Sequence, residues 1–269
     1  MRKNSLWLIC ASFILAFVII SWTSVKKHSG LIAKTTSDSS SNTATTEQLF
    51  SHYVADIFNT ARLAQAGLDE NVFEKAVIGY INLKVANKLS PNSSVITVVD
   101  FNKSSTSKRM WIVDLDKKEL LLNTWVAHGN GSGGDVPNRF SNQVDSFESS
   151  LGFYVTNNVY NGKHGVSLRL DGMDEGFNDQ AHKRDIVVHA APYVSQSSIN
   201  ALGRLGRSQG CPAVSPSVVN QVINTIKGKT VLFINANDSG YTSKYLNQDL
   251  AANYAVGNPA NATALNASL

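Results

Sequence analysis

The chain has 269 residues, 43% of them apolar, which is too apolar for a disordered protein and long enough to bury a sizeable core. Its formal charge of +4 is modest and no basic stripe is interleaved with aromatics, so nucleic acid is not an expected partner, while an anionic cell-envelope polymer is compatible. Only Cys10 and Cys211 are present, so once the leader that holds Cys10 is removed no internal disulfide can form.

Arg2 and Lys3 precede an apolar run from Leu6 to Trp22, the order of charge then hydrophobe found in export signals. Residues 1–22 are therefore expected to be a signal peptide or membrane anchor, delivering the chain to the periplasm or cell envelope. Residues 23–46 are Ser/Thr-rich without apolar periodicity and read as a flexible tether. In an extension over residues 47–90, Leu49, Tyr53, Val54, Ile57 and Ala61 recur at helical spacing, and Phe73, Val77, Tyr80 and Ile81 repeat the pattern after Gly67. This predicts a helical hairpin, with Asn71 and Glu74 forming a capping box for its second helix. Residues 91–238 change character: "SVITVVDF", "RMWIVDL", "ELLLNTWVAH", "LGFYVTNNVY", "GVSLRL", "DIVVHAA" and "TVLFINA" are short and rich in β-branched and aromatic residues, and a helix over Ser217–Ile226 precedes the last. The Ala/Asn-rich residues 239–269 are expected to be a weakly ordered tail. The fold class is α+β, mainly β.

Cys211, in "GRSQGCPAV", carries the chemical interest. A thiolate is the attacking species, so a catalytic cysteine needs a neighbour that lowers its pKa or takes its proton. His189 closes the apolar strand "DIVVHAAP", where a rigid backbone would hold an imidazole at a sheet edge, 22 residues before the cysteine. Gly210 permits a tight turn that would aim the Gly210 and Cys211 N–H groups at one spot, as an oxyanion site requires, with Ser208 and Arg207 nearby. The bland alternative is a small packed cysteine. The His-then-Cys order excludes papain-like enzymes, and the absence of any arginine after Cys211 argues against a sortase-like one.

The runs "VAHGNGSGG", "SSLGFYVTNNVYNGKHGVSLRLDGMDEGFND", "RDIVVHAAPYVS" and "GRSQGCPAV", within about Ile96 to Ile234, resemble the murein L,D-transpeptidase catalytic-domain family. The resemblance implies a β-sandwich-like domain with no cofactor or metal. It implies that Cys211 attacks the bond between positions three and four of a peptidoglycan stem peptide, releasing D-alanine and passing the acyl group to an amine on another stem or on a protein. With water as acceptor the same chemistry is that of an L,D-carboxypeptidase; a non-catalytic wall-binding module is the alternative of another class. Carried over by position, His189 is the base, with its tautomer fixed by the Ala190 carbonyl, while Ser208 and Gly210 shape the oxyanion site. The sequence departs from the commoner family pattern in having Gln209 before Gly210 and Pro212 and Ala213 after Cys211. The grip on the substrate carboxylate is therefore assigned to Arg207, with Arg204 next.

His128 and His164 each precede a glycine and are candidates to line the substrate cleft, or else to hold loops. Gly129, Gly131 and Gly134 fit a phosphate-binding glycine pattern, but Pro137 and "NRFSN" follow where a helix is needed. His164 and Asp171 have a spacing used by zinc peptidases, without the closely spaced second histidine pair that class requires.

Overall fold

The computed structural model describes residues 45–257; the expected leader, all but the last two residues of the expected tether, and residues 258–269 lie outside that range. Two helices come first, α1 (Thr46–Thr60) and α2 (Glu70–Val85), as the periodicity predicts. Their caps differ from expectation. The reciprocal capping box belongs to α1, between Thr45 and Gln48, while α2 is capped by Asp69, whose carboxylate accepts the N–H groups of Asn71 and Val72. Asp69 has the extended backbone an N-cap needs, and Asn71 already lies inside the first turn. Among the described residues no helix is long and apolar enough to cross a membrane.

Eight strands follow in one mixed sheet: β1 (Val95–Asp100), β2 (Met110–Asp114), β3 (Glu119–Thr124), β4 (Gly152–Gly162), β5 (Gly165–Gly172), β6 (Val187–Ala190), β7 (Ala213–Val214) and β8 (Val231–Asn235). Their order across the sheet is β3-β2-β1-β8-β4-β5-β6-β7. Ala127, just beyond β3, bridges back to Ala213 in β7, so the sheet curls into a nearly closed, barrel-like sandwich. The continuous apolar runs follow from burial on both faces. Ile96, Val98, Trp111, Phe153 and Phe233 turn toward α1 and α2, whereas Val99, Met110, Ile112, Leu232 and Ile234 turn toward α4 (Val219–Ile226). A short α3 (Gln196–Leu202) and the two-residue β7 have no counterpart among the predicted elements.

Part of the expected tail is ordered. Residues 244–246 form a 3-10 turn, and α5 (Gln248–Ala255) buries Leu250 and packs Ala251 and Ala252 into the core that α1 and α2 share. Buried Asn82 donates to the carbonyls of Tyr245 and Asn247, and Asp174 accepts from Tyr241 and Ser243. Small alanines serve as core residues here because the helices lie close together, which composition alone cannot reveal.

Candidate active site

The parallel pairing of β6 with β7 sets His189 opposite Ala213, and Cys211 sits two residues before that partner, at the open end of the short strand. Across β6 the neighbour of His189 is Ser167 in β5. His189 and Cys211 line the same cleft, of about 770 Å³. Its apolar walls include Phe147, Tyr160 and Tyr193. Five basic residues, Lys163, Arg169, Lys183, Arg184 and Arg207, face only Asp145 and Asp185 among the acidic ones, which suits an anionic ligand.

The His189 Nδ1 lies 2.9 Å from the Ala190 carbonyl oxygen. A carbonyl only accepts, so Nδ1 carries the proton and Nε2 keeps its lone pair when the ring is neutral. Burial holds the ring below the ordinary histidine value; the Ala190 carbonyl opposes this, and His164 and Lys163 reinforce it. His164 stacks on His189 with ring centroids 4.4 Å apart.

The Cys211 thiol is half-buried, and burial pushes its pKa up. The Val187 N–H and the charges of Arg184 and Lys163 oppose that rise, whereas Asp185 adds to it. The Val187 N–H lies 3.5 Å from Sγ, and Sγ lies 3.5 Å from the Asp185 carbonyl oxygen. Of the two routes to an attacking sulfur, the resting site therefore favours removal of the proton by a base over a standing thiolate.

The turn at Gly210 differs from expectation in its hydrogen bonds. Gly210 has φ +117°, a conformation that favours glycine, and a Cβ there would meet the Glu148 carbonyl oxygen at 2.8 Å. Its N–H, however, donates to Ser208 Oγ at 3.1 Å, and Ser208 Oγ in turn donates to the Cys211 carbonyl at 2.6 Å. Ser208 thus staples the turn, and the Gly210 N–H is already committed. The Cys211 N–H makes no hydrogen bond within the described residues and is the backbone donor left at the sulfur.

The other expected residues divide. Arg207 lines the cleft with Nη1 anchored on the Gly133 carbonyl at 2.6 Å, and His164 lines it too. Arg204 does not; it donates to the Leu205 carbonyl. His128 is fully buried away from the cleft, with Nδ1 2.8 Å from Arg109 Nη2, and burial together with that cation pushes it down to about 4. The glycine run opens a 3-10 turn in place of a phosphate-binding helix. Gly129 is there for closeness, since a Cβ would fall 2.4 Å from the Phe147 carbonyl oxygen and 2.9 Å from the Gly210 Cα.

Sequence reasoning missed two residues at the site. Ser149, fully buried, receives the Gly129 N–H and donates to the Gly210 carbonyl, joining the segment before β4 to the cysteine turn. Arg184 reaches the same turn from the segment before β6. Both stand at the first position of a run that resembles the family, Ser149 in "SSLGFYV" and Arg184 in "RDIVVHAAPYVS", but nothing in the residue type marks either as a site residue.

The model of the L,D-transpeptidase catalytic domain family matches residues 64–235, more than half of the chain. The chain belongs to that family. No curated protein matches it. Among solved structures, this L,D-transpeptidase domain is similar to the L,D-transpeptidase from Mycobacterium smegmatis, at 14% identity and TM-score 0.33, over 54% of this chain and 59% of that one. It is also similar to an L,D-transpeptidase from Mycobacterium tuberculosis H37Rv, at 13% identity and TM-score 0.32 over 53% and 58% of the two chains. A third is the helical cell shape determining protein Pgp2 from Campylobacter jejuni, at 13% identity and TM-score 0.38 over 66% and 61%. The chain thus spans less than two thirds of each of these proteins. The family match begins inside the helical hairpin, so it takes in α2 as well as the sheet.

Proposed function

We propose that this L,D-transpeptidase domain is a cysteine acyltransferase of the cell envelope, acting on tetrapeptide stems of peptidoglycan. The observation that carries this reading is that Cys211 and His189 line one cleft while the His189 Nδ1 is spent on the Ala190 carbonyl, leaving Nε2 as the base. In this reaction Nε2 takes the thiol proton as Sγ attacks the carbonyl between stem positions three and four. The oxyanion that forms is met by the Cys211 N–H. Collapse of the tetrahedral intermediate breaks the amide bond; the imidazolium gives its proton to the departing D-alanine amine, and a thioester remains. An acceptor amine then attacks the thioester, His189 removes its proton, and the thiol is restored. The surplus of cations in the cleft supports an acyl donor rich in carboxylates, and Arg207 is the candidate to grip one. Residues 1–22 support delivery to the envelope by their charge-then-hydrophobe order.

Burial raises the Cys211 thiol whether the residue is catalytic or merely packed, so acylation is the deciding readout. The full chain incubated with tetrapeptide stems is expected to show Cys211 bearing the tripeptidyl acyl group by mass spectrometry, together with 3-3 linked dimers. Cys211→Ala should lower both by at least about 10³-fold, the scale on which loss of a nucleophile is felt. Tripeptide stems without dimers would instead identify water as the acceptor and the chain as an L,D-carboxypeptidase. Cross-linking that survives Cys211→Ala would overturn the reading.

A further inference from the structure

One side chain makes four hydrogen bonds to the strap that walls the cleft. Arg184 donates from Nη1 to the Ser141 carbonyl at 2.6 Å and to Ser150 Oγ at 3.1 Å. From Nη2 it donates to the Glu148 carbonyl at 2.6 Å and to Ser146 Oγ at 3.2 Å. All four acceptors belong to residues 141–150, the segment that brings Val144, Asp145 and Phe147 to the cleft. Asp145 and Phe147 are non-glycine residues at φ +60° and +55°, a backbone the segment would not keep without something to hold it. The same Nη2 and the Glu148 carbonyl it holds lie beside the cysteine turn, where a Cβ on Gly210 would fall 3.3 Å and 2.8 Å from them. Arg184 therefore shares the cleft with the Cys211 sulfur, half-buried, where charge is screened less than at an open surface.

We propose that Arg184 is a positioning residue, whose guanidinium clamps the 141–150 strap onto the cysteine turn and presents a fixed positive charge to the Cys211 sulfur. The inference rests on Cys211 being the nucleophile. The other charged or titratable groups that act on the sulfur or share its cleft are Lys163, Asp185, Tyr193, His189 and His164, and, further along the lining, Asp145, Tyr160, Arg169, Lys183 and Arg207. Of the two cations that act on the sulfur, Lys163 is exposed, so Arg184 is the one that the fold holds still, and Asp185 opposes the thiolate. This arrangement offsets the burial that raises the thiol, and it ties the ionisation of the sulfur to the shape of the substrate wall.

The test is the pH dependence of Cys211 alkylation by iodoacetamide, a neutral probe, in the full chain, with the Cys211 peptide mapped by mass so that Cys10 does not contribute. The midpoint is read, because a loosened strap would also change access and hence the rate. Arg184→Gln is expected to move the midpoint up by about one unit, equivalent to about ten-fold less thiolate at pH 7. Arg184→Lys keeps a charge without the four-donor fork; it should shift the thiolate fraction less than about three-fold while speeding thermolysin cleavage at Phe147. Ser146→Ala removes the bonds its hydroxyl accepts from Arg184 and from the Glu148 N–H but no charge, and should leave the midpoint in place. An unchanged midpoint in folded Arg184→Gln, or equal shifts in the Gln and Lys variants, overturns the charge role; unchanged protection at Phe147 in both overturns the clamp. Should Arg184→Gln fail to fold, Arg184→Lys carries the test, and a ten-fold loss of thiolate in it overturns the proposal. Alkylation needs no stem turnover, so failure here leaves the acyl-transfer reading standing, and failure of that reading leaves this measurement intact.

Discussion

His189 illustrates how much a single hydrogen bond decides. With Nδ1 held by the Ala190 carbonyl, only Nε2 can act as base, and burial keeps the ring neutral to lower pH than a free histidine. The acid limb of kcat/KM should therefore lie below about pH 6.5, the ordinary histidine value. His164→Ala removes a cation that depresses His189 when protonated, so it should move that limb upward, while His189→Ala should cost about 10²- to 10⁴-fold in kcat. The same depression links to stability with a definite sign. The His189 contribution is present above about pH 6.5 and is lost as pH falls through its depressed value, which a urea series at several pH values would measure. That Cys211 and His189 are candidates was legible in the sequence, because each stands in a run whose residue types narrow its role, and the fold brings both to one cleft. Arg184 was not, since its partners are mostly backbone carbonyls and hydroxyls of a segment some forty residues away in the chain.

Among the elements, α2 shows opposing effects that magnitudes can rank. Gly79 lies mid-helix, and alanine there would gain about 1 kcal/mol of helix propensity. A Cβ at that position would sit 2.0 Å from the Phe153 ring, which is itself stacked on Phe233 at 4.4 Å and has little room to move. Overpacking of this kind costs about 1–3 kcal/mol, so Gly79→Ala is expected to be neutral or destabilising, and Gly79→Val clearly destabilising. Thermal unfolding of the two variants would check this, and a gain in Tm for either would show that α2 can lift off the sheet. The hairpin itself was legible from apolar spacing. Its capping residue was not, because Asp69 and Asn71 are both good N-cap types and the start of the first turn decides between them.

For the molecule as a whole, the C-terminal segment closes the core instead of trailing from it. Truncation after Asp238 would remove Tyr245 and Leu250, each worth about 1.5–3 kcal/mol of buried apolar surface, and would leave the buried Asp174 without Tyr241 and Ser243. Against a total stability of about 5–15 kcal/mol this is a large fraction. The truncated chain should lose its cooperative urea transition or shift it to much lower denaturant, whereas truncation after Gly257 should leave the packed residues in place. The sequence by itself determined seven of the eight strands, the helical hairpin and the candidate pair Cys211 and His189, because residue type and local period are properties of neighbours along the chain. Only the tertiary structure decided that the sheet curls until Ala127 meets Ala213, that His128 is sealed inside, that the Gly210 N–H is spent on Ser208, and that Arg184 grips the wall of the cleft. Each of those depends on which distant segments come within hydrogen-bond or van der Waals reach, a quantity that no local pattern carries.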